Sequence, residues 1–222
     1  MANITALFFD LDGTLHDFKG ASDNAMSYVY AKIRDRCNID VQSLKARYSE
    51  IVKLAEDNGF IDGRGSIEYR TERFSQLLSA FGVHDTGFVN ELVVTYGEKL
   101  EYALKLAPNA LSLLEKLSKE YSLYLVTEGP ADAQKRAIKI LGLQSYFKQI
   151  FISGECKKKK EDGALFAHAL RETGHSAFDV VVIGDSEKRD LGGANKAGLN
   201  AIIINHNNLD ELGAKLANIC VV

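Results

Sequence analysis

Residues 4–15 constrain the fold more than any other part of the chain, because a short apolar run there ends in two carboxylates and a glycine. Residues 4–9 predict a buried strand, and Asp10, Asp12 and Gly13 follow it in a turn. In parallel α/β sheets, ligands bind beyond the carboxyl ends of the strands. The two aspartates therefore lie where chemistry is expected, with both side chains on one side. For these residues alone, an aspartate-rich turn without a chemical role is the alternative.

Composition narrows the class of protein. The 222 residues suffice for one large domain or for a core with a smaller insert. The formal net charge is −3, and acidic and basic residues are interspersed, so the sequence shows no basic cluster of the kind that binds nucleic acid or an anionic membrane. The three cysteines, Cys37, Cys156 and Cys220, have neither disulfide-framework nor zinc-site spacing. Without a signal-peptide pattern or a bilayer-length apolar run, we expect a soluble, cytoplasmic monomer or homodimer with no nucleic-acid or membrane partner.

Five short apolar segments rich in β-formers predict the strands of a parallel sheet, because their hydrophobicity is nearly continuous. These segments are residues 4–9, 122–127, 149–153, 178–183 and 200–204. Apolar residues at helical spacing lie between the later segments, and this alternation is typical of βαβ units. The sequence predicts an α/β fold with a Rossmann-like parallel sheet of about five strands and helices on both faces.

The interval between the first two strands is anomalous, since about a hundred residues replace the short crossover of a βαβ unit. Apolar residues keep helical spacing in four segments of this interval, at residues 25–33, 44–55, 74–81 and 88–100. We infer an inserted four-helix bundle. The expected boundaries are 1–17 and 105–222 for the α/β core and 18–104 for the bundle.

Polar groups also follow the later predicted strands. Thr127 ends the second, the lysine run 157–160 follows the third, and Asp185 and Asp190 follow the fourth. Each has an ordinary alternative, since such residues cap helices and lysine runs are usually solvated. Together, however, carboxylates, a hydroxyl and a lysine at one sheet edge are what phosphoryl transfer needs. Converging carboxylates require a cation, and an all-oxygen set suits Mg²⁺.

With these motifs the chain resembles the haloacid dehalogenase (HAD) superfamily, specifically phosphatase-like members with a helical cap between the first and second motifs. The resemblance rests on D-x-D-G-T-L at 10–15, the strand-ending Thr127, a lysine followed by a helix, and G-D-S-x-x-x-D at 184–190. It covers essentially the whole chain.

The resemblance implies a role for each motif. Asp10 would be the nucleophile that becomes an aspartyl phosphate, and Asp12 the general acid and base. Mg²⁺ would bind Asp10, the Asp12 backbone carbonyl and Asp185, while Thr127 would hydrogen-bond the phosphoryl group. The groups expected to bind the phosphate or the rest of the substrate are Gly13, Thr14, Glu128, Gly129 and Arg70. Ser186 and Asp190 are expected to support the catalytic lysine or a metal-bound water.

The catalytic lysine is the ambiguous step. Family members often read K-P-D-P-x-x-F, and aligning Asp162 and Phe166 to that pattern assigns Lys160. Both prolines are absent from this chain, so the two preceding lysines stay open. Glu128 is a second departure, because asparagine is common after the strand-ending threonine.

The predicted function is Mg²⁺-dependent hydrolysis of a small phosphorylated metabolite. The alternatives are 2-haloacid dehalogenation, which Asp12 argues against, phosphomutase activity through the same intermediate, and a non-catalytic binding module. The cap would exclude water and choose the substrate. Further candidates for substrate choice are His16, Asp17, Phe18, Arg64 and Tyr69.

Overall fold

A five-stranded parallel sheet forms the centre of the molecule. The computed structural model describes residues 4–55 and 59–219. The strands are β1 (Ala6–Phe9), β2 (Ser122–Thr127), β3 (Gln149–Ile152), β4 (Val180–Gly184) and β5 (Asn200–Ile203). Their order is β3-β2-β1-β4-β5, so the chain builds outward on one side of β1 and then crosses to the other. This reversal creates a crevice at the carboxyl end of β1, and the predicted fold class is confirmed.

Helices flank the sheet and fill the interval between β1 and β2. They are α1 (Phe18–Cys37), α2 (Val41–Ala55), α3 (Ser66–Ser79), α4 (Thr86–Ala103), α5 (Ala110–Leu117), α6 (Ala131–Ile140), α7 (Ser153–Cys156), α8 (Ala164–Thr173), α9 (Gly192–Lys196) and α10 (Leu212–Ile219). A π-helical turn, Glu187–Leu191, immediately precedes α9. In the described part of the chain, no helix combines the length and hydrophobicity needed to cross a membrane.

Alternate residues of the strands enter two hydrophobic layers. Leu7 and Phe9 of β1 belong to the layer that includes α5 and α10, whereas Ala6 and Phe8 belong to the layer that includes α8 and α9. Helices therefore cover both faces of the sheet. Because each strand residue must be apolar whichever way it points, the strands read as nearly unbroken hydrophobic runs.

The element boundaries differ from the predicted ones at a few points. The third predicted strand stops one residue early because Ser153 opens α7, and a 3₁₀ turn at Ala177–Asp179 delays β4. Helices α5 and α10 were not predicted. Each has eight residues, a length at which packing on the sheet rather than local propensity decides whether a helix forms.

The four predicted helices of the insert are present as α1–α4, although Phe81 lies past the end of α3. They share a hydrophobic core of their own, whose fully buried members include Ala25, Val29, Ile33, Leu44, Phe74, Leu77, Leu78 and Leu92. The division at residues 17 and 105 stays a prediction. Cys37 and Cys156 are free thiols, while Cys220 lies outside the described residues.

Two chain segments connect the sheet to the helical insert, and they run side by side. The Ala107 N–H donates to the Leu15 carbonyl at 2.9 Å, and His16 forms an antiparallel bridge with Leu106. A second contact joins α3 to α6, where the Ser66 N–H and hydroxyl donate to the Asp132 carboxylate at 2.8 and 2.6 Å. The insert therefore meets the sheet region away from the two connecting segments as well.

We expect Phe74→Ala to lower the free energy of unfolding by about 3–5 kcal/mol, because the ring is fully buried between Tyr48 and Tyr96. Urea denaturation followed by circular dichroism measures the change. Tyr102→Ala is the matched control, since Tyr102 is 86% exposed. Equal losses in the two variants would contradict a packed core among α1–α4.

Candidate active site

The carboxyl ends of three neighbouring strands form the candidate site. Phe9 is in register with Leu125 of β2 and Ile183 of β4, so the three strands end side by side. The Asp10 N–H donates to the Ile183 carbonyl at 2.8 Å and extends the ladder by one residue. Asp10 and Asp185 therefore leave the sheet at one edge, although 175 positions separate them in the sequence.

Lys160 is the cation of this edge. Its side chain is buried, and its Nζ donates to Asp10 Oδ1 and, at 2.7 Å, to Asp190 Oδ1. Burial lowers the pKa of Lys160, but its interactions with both carboxylates outweigh this effect and raise the pKa above the usual value. Burial raises the pKa of Asp10 to about 7 despite the opposing charge of Lys160. Of the four consecutive lysines, this one faces the strand-end aspartates.

Neighbouring groups fix the backbone around Lys160. Its N–H donates to Glu128 Oε2 at 2.9 Å, and the Ser186 N–H donates to Asp190 Oδ2 at 3.1 Å. A Cβ atom at Gly193 would lie 2.0 Å from the Lys160 carbonyl oxygen, so this contact needs a glycine. Glu128 thus holds the lysine loop, and its predicted contact with the substrate stays a prediction.

Asp12 has different partners from Asp10. Its Oδ1 lies 2.7 Å from His16 Nε2, and its Oδ2 accepts a hydrogen bond from Gln134 Nε2 at 2.8 Å. His16 is fully buried, and its Nδ1 has no hydrogen-bond partner among the described residues. The contact joins a ring nitrogen to a carboxyl oxygen, and one of these two groups donates to the other. The two contacts fix the orientation of the Asp12 carboxylate.

Sequence reasoning missed both partners of Asp12. His16 was considered only for substrate choice, although its position four residues after Asp12 was the available signal. Gln134 belongs to α6, 122 positions away, and no local pattern marks it. The Gln134 side chain can extend to Asp12 only because residue 129 is a glycine, since a Cβ atom there would lie 2.4 Å from Gln134 Nε2.

The residues present fit a bound Mg²⁺. Carboxylate oxygens of Asp10, Asp185 and Asp190 lie within 4.8 Å of one another, and Asp185 Oδ1 is buried with no hydrogen-bond partner among the described residues. Burial and the charge of Asp190 raise the pKa of Asp185, and the charges of Arg189 and Lys160 oppose this rise, as a bound cation would. Gly13 has φ +88°, and a Cβ atom there would lie 2.3 Å from Asp185 Oδ2. An all-carboxylate set of this kind suits Mg²⁺.

Thr127 is available to a ligand, because its Oγ1 is buried and has no partner in the described part of the chain. Three other groups expected to bind phosphate are already engaged. The Gly13 N–H donates to the His16 carbonyl at 2.9 Å, and the Gly129 N–H donates to Ser153 Oγ at 2.9 Å. The Thr14 hydroxyl donates to Asp10 Oδ2 at 3.1 Å. These three donors therefore have partners within the protein, and their role in binding phosphate stays a prediction.

The remaining candidates for contact with the substrate divide into two kinds. Arg64 forms ion pairs with Asp62 and Glu72, and Asp17 caps α1 by accepting the Gly20 N–H at 2.8 Å, so both have structural partners. Arg70 instead lies over the ring of Tyr96, 5.0 Å from its centroid.

A parallel sheet whose strand-end carboxylates surround a buried lysine defines a hydrolase site of the α/β class. The haloacid dehalogenase-like hydrolase family matches residues 4–198, and the chain belongs to this family, as predicted. It is 32% identical over 208 residues to the pyrimidine 5'-nucleotidase PynA of Streptococcus pneumoniae, covering 92% of this chain and 85% of that protein. It is 27% identical over 205 residues to the N-acylneuraminate-9-phosphatase of Mus musculus, covering 91% and 83%.

Solved structures agree with this assignment. The magnesium-bound structure of YfnB from Bacillus subtilis superposes with a TM-score of 0.77 at 28% sequence identity. The match covers 97% of this chain and 99% of YfnB, so the fold is shared along its full length.

Lys160→Met should lower the free energy of unfolding by about 3–5 kcal/mol at neutral pH, because it leaves the buried Asp10 and Asp190 without a cation. Chemical denaturation in metal-free buffer measures the loss. Lys157→Met is the matched control, since that side chain is exposed, and it should have little effect. A stable Lys160→Met protein beside a destabilised Lys157→Met protein would show that the wrong lysine has been assigned.

Proposed function

We propose that the protein is a Mg²⁺-dependent phosphatase that hydrolyses a small phosphorylated metabolite through an aspartyl-phosphate intermediate. The observation that carries this proposal is the separation of two aspartates by environment. Asp10 is paired with a buried ammonium group, whereas Asp12 is held by His16 and Gln134. Two neighbouring carboxylates with different partners are suited to different chemical tasks. The phosphatase and nucleotidase activities of the named relatives support the same reaction class.

The reaction begins with the Asp10 carboxylate attacking phosphorus. Lys160 and Thr14 each donate a hydrogen bond to one of its oxygens and so orient it. As the phosphorus–oxygen bond to the leaving group breaks, Asp12 in its protonated form gives its proton to that oxygen and becomes a carboxylate. It then takes a proton from the water that hydrolyses the aspartyl phosphate. The unpartnered Thr127 hydroxyl is placed to hydrogen-bond the transferred group.

Mg²⁺ bound by Asp10, Asp185 and the Asp12 backbone carbonyl would offset the negative charge that the substrate phosphate brings to this edge. Asp190 would hold Lys160 in position, because its Oδ1 accepts a hydrogen bond from Lys160 Nζ at 2.7 Å.

The position of Asp12 favours a phosphate ester over a carbon–halogen bond. An alkoxide leaving group needs a proton, whereas a halide leaves as a stable anion. His16 and Gln134 hold the carboxylate in a fixed orientation that proton delivery requires, and dehalogenation would make no use of it.

Residues 18–104 would form the cap of this site. Two features support this assignment: the paired connections at Leu15 and Ala107, and the separate contact between Ser66 and Asp132. A body attached by two adjacent strands of chain can rotate about them, and a polar contact elsewhere can hold it closed. Closure would shield the aspartyl phosphate from bulk water.

Phosphate release from a panel of phosphomonoesters tests the reaction class. We expect turnover with Mg²⁺, loss of turnover with excess EDTA, and a decrease of about 10⁴-fold or more in Asp10→Asn, which lacks the nucleophile. No release from any ester, or an Asp10→Asn protein with full activity, would refute the proposal. Halide release from 2-haloacids that survives EDTA would favour dehalogenation. Transfer of the phosphoryl group to a second sugar phosphate would indicate a mutase.

His16→Leu should lower kcat by about 10- to 100-fold with a smaller change in KM, because Asp12 loses one of its two orienting hydrogen bonds. His16→Gln keeps a donor in this position and should recover part of the loss. Steady-state kinetics on the best ester of the panel measures both variants. His84→Leu is the control, because His84 is exposed on the helical insert. If the leucine and glutamine variants of His16 lost the same activity, the orienting role would be wrong.

A further inference from the structure

Two arginines of α3 differ from the other arginines of the helical insert in having no carboxylate partner. Four arginines of the insert form ion pairs at 2.7–2.8 Å: Arg34 with Asp35, Arg36 with Asp85, Arg47 with Glu50, and Arg64 with Asp62. Arg70 and Arg73 form none with the described residues, although both are partly buried. Arg73 Nε is completely buried without a hydrogen-bond partner among these residues. An anion placed against these two side chains would add ion pairs that the described residues do not supply.

Both arginines lie on the side of α3 that meets the sheet region. Ser66 of the same helix bonds Asp132 of α6, and Arg70 and Arg73 follow it by four and seven residues. This spacing repeats on one face of an α-helix. Phe74, Leu77 and Leu78 of the same helix enter the hydrophobic core of the insert, so the two arginines lie at the edge of that core.

Two tyrosines of the insert lie beside the two guanidinium groups. Arg70 lies over the ring of Tyr96, 5.0 Å from its centroid, and the Tyr96 hydroxyl is 2.8 Å from Ser22 Oγ. Arg73 forms a hydrogen bond with the side chain of Tyr48. Burial raises the pKa of Tyr96, the charges of Arg70 and Arg73 oppose this rise, and the charge of Asp12 adds to it. Tyr96 therefore lies within range of the charges of both arginines and of Asp12.

We propose that Arg70 and Arg73 form an anion-binding subsite for a second negative group, a carboxylate or a phosphate, on the substrate. This inference rests on the proposed phosphatase function and specifies its substrate class: phosphomonoesters that carry an anion at the end away from the scissile bond. Guanidinium groups bind planar or tetrahedral oxyanions through paired hydrogen bonds. The Tyr48 and Tyr96 hydroxyls supply further donors of the same kind.

The subsite also predicts selection by length. Asp10 is fixed by the sheet and the arginines by α3, so an ester can engage both only when its chain spans the interval. A shorter or uncharged ester leaves the guanidinium groups buried and unpaired, and discrimination against such ligands is strong.

Two matched series of substrates test the subsite. The first contains ω-carboxyalkyl phosphates of increasing chain length, and the second contains alkyl phosphates of the same lengths. The measured quantity is the ratio of kcat/KM between the two members of each length. We expect wild type to prefer the charged ester at one particular length.

Arg73→Gln should lower the kcat/KM ratio at that length by about 10- to 100-fold, as expected for loss of a charge-assisted hydrogen bond. Alkanediol bisphosphates, tested in parallel, separate recognition of phosphate from recognition of carboxylate.

Arg47→Gln is the matched control, because Arg47 is an arginine of α2 paired with Glu50, and its ratio should stay at the wild-type value. Arg73→Lys keeps the charge, so its kcat/KM ratio should lie between that of wild type and that of Arg73→Gln. If Arg73→Gln does not fold, Arg70→Gln and Arg73→Lys carry the comparison. The subsite would be overturned by a wild-type kcat/KM ratio near one at every length. It would also be overturned if the variants lost kcat/KM equally for the charged and the uncharged esters.

Calorimetric titration separates failure of the subsite from failure of the proposed function. Asp10→Asn protein, titrated with the same two series in the presence of Mg²⁺, should bind the charged ester more tightly, and Arg73→Gln in that background should remove the difference. If wild type releases phosphate but neither assay distinguishes the two series, only the subsite is wrong. If no ester is hydrolysed, the phosphatase proposal fails, and the titration still decides whether the arginines bind an anion.

Discussion

The buried ammonium group of Lys160 is the interaction on which the rest of the site depends. Asp10, Asp185 and Asp190 have carboxylate oxygens within 4.8 Å of one another, an arrangement whose mutual repulsion would oppose folding. Lys160 bonds two of the three, whereas Asp185 Oδ1 has no hydrogen-bond partner among the described residues. The buried ammonium group therefore helps to make the cluster compatible with a folded protein without pairing every carboxylate oxygen. The remaining oxygens are what a divalent cation would bind.

Three groups from two separate parts of the chain position this lysine. Glu128 follows β2 and accepts the backbone N–H of Lys160, Gly193 leaves room for its carbonyl group, and Asp190 follows β4 and bonds its side chain. Each of these groups lies beyond the end of a different strand or at the start of a helix. The parallel sheet brings them together because its strands end at one edge. The lysine loop itself has little regular structure, so these outside contacts supply its rigidity.

The sequence was sufficient for those features that depend on local pattern. The strands were predictable because burial on both faces demands continuous hydrophobicity, and the helices of the insert because their apolar residues repeat at helical spacing. Asp10, Asp12 and Asp185 were identifiable because a turn motif follows each strand. Gln134 and the role of Glu128 were not, since the first depends on how α6 packs and the second on where the lysine loop lies. The partners of the Gly13 and Gly129 N–H groups were not predictable either, since the His16 carbonyl oxygen and Ser153 Oγ reach them only in the folded turns.

Helix α6 links the two halves of the proposed site. Its Gln134 bonds Asp12, the proposed proton donor, and its Asp132 bonds Ser66 at the start of α3. The arginine pair lies one and two turns further along α3, on the face that Ser66 shares. An anion held by the arginines would therefore favour the position of α3 in which Ser66 meets α6. The same helix holds the proton donor in place. One helix–helix contact would then affect both recognition of the distant end of a substrate and proton delivery to its leaving oxygen. A ligand without the second charge would therefore bind less tightly and also receive its proton less efficiently.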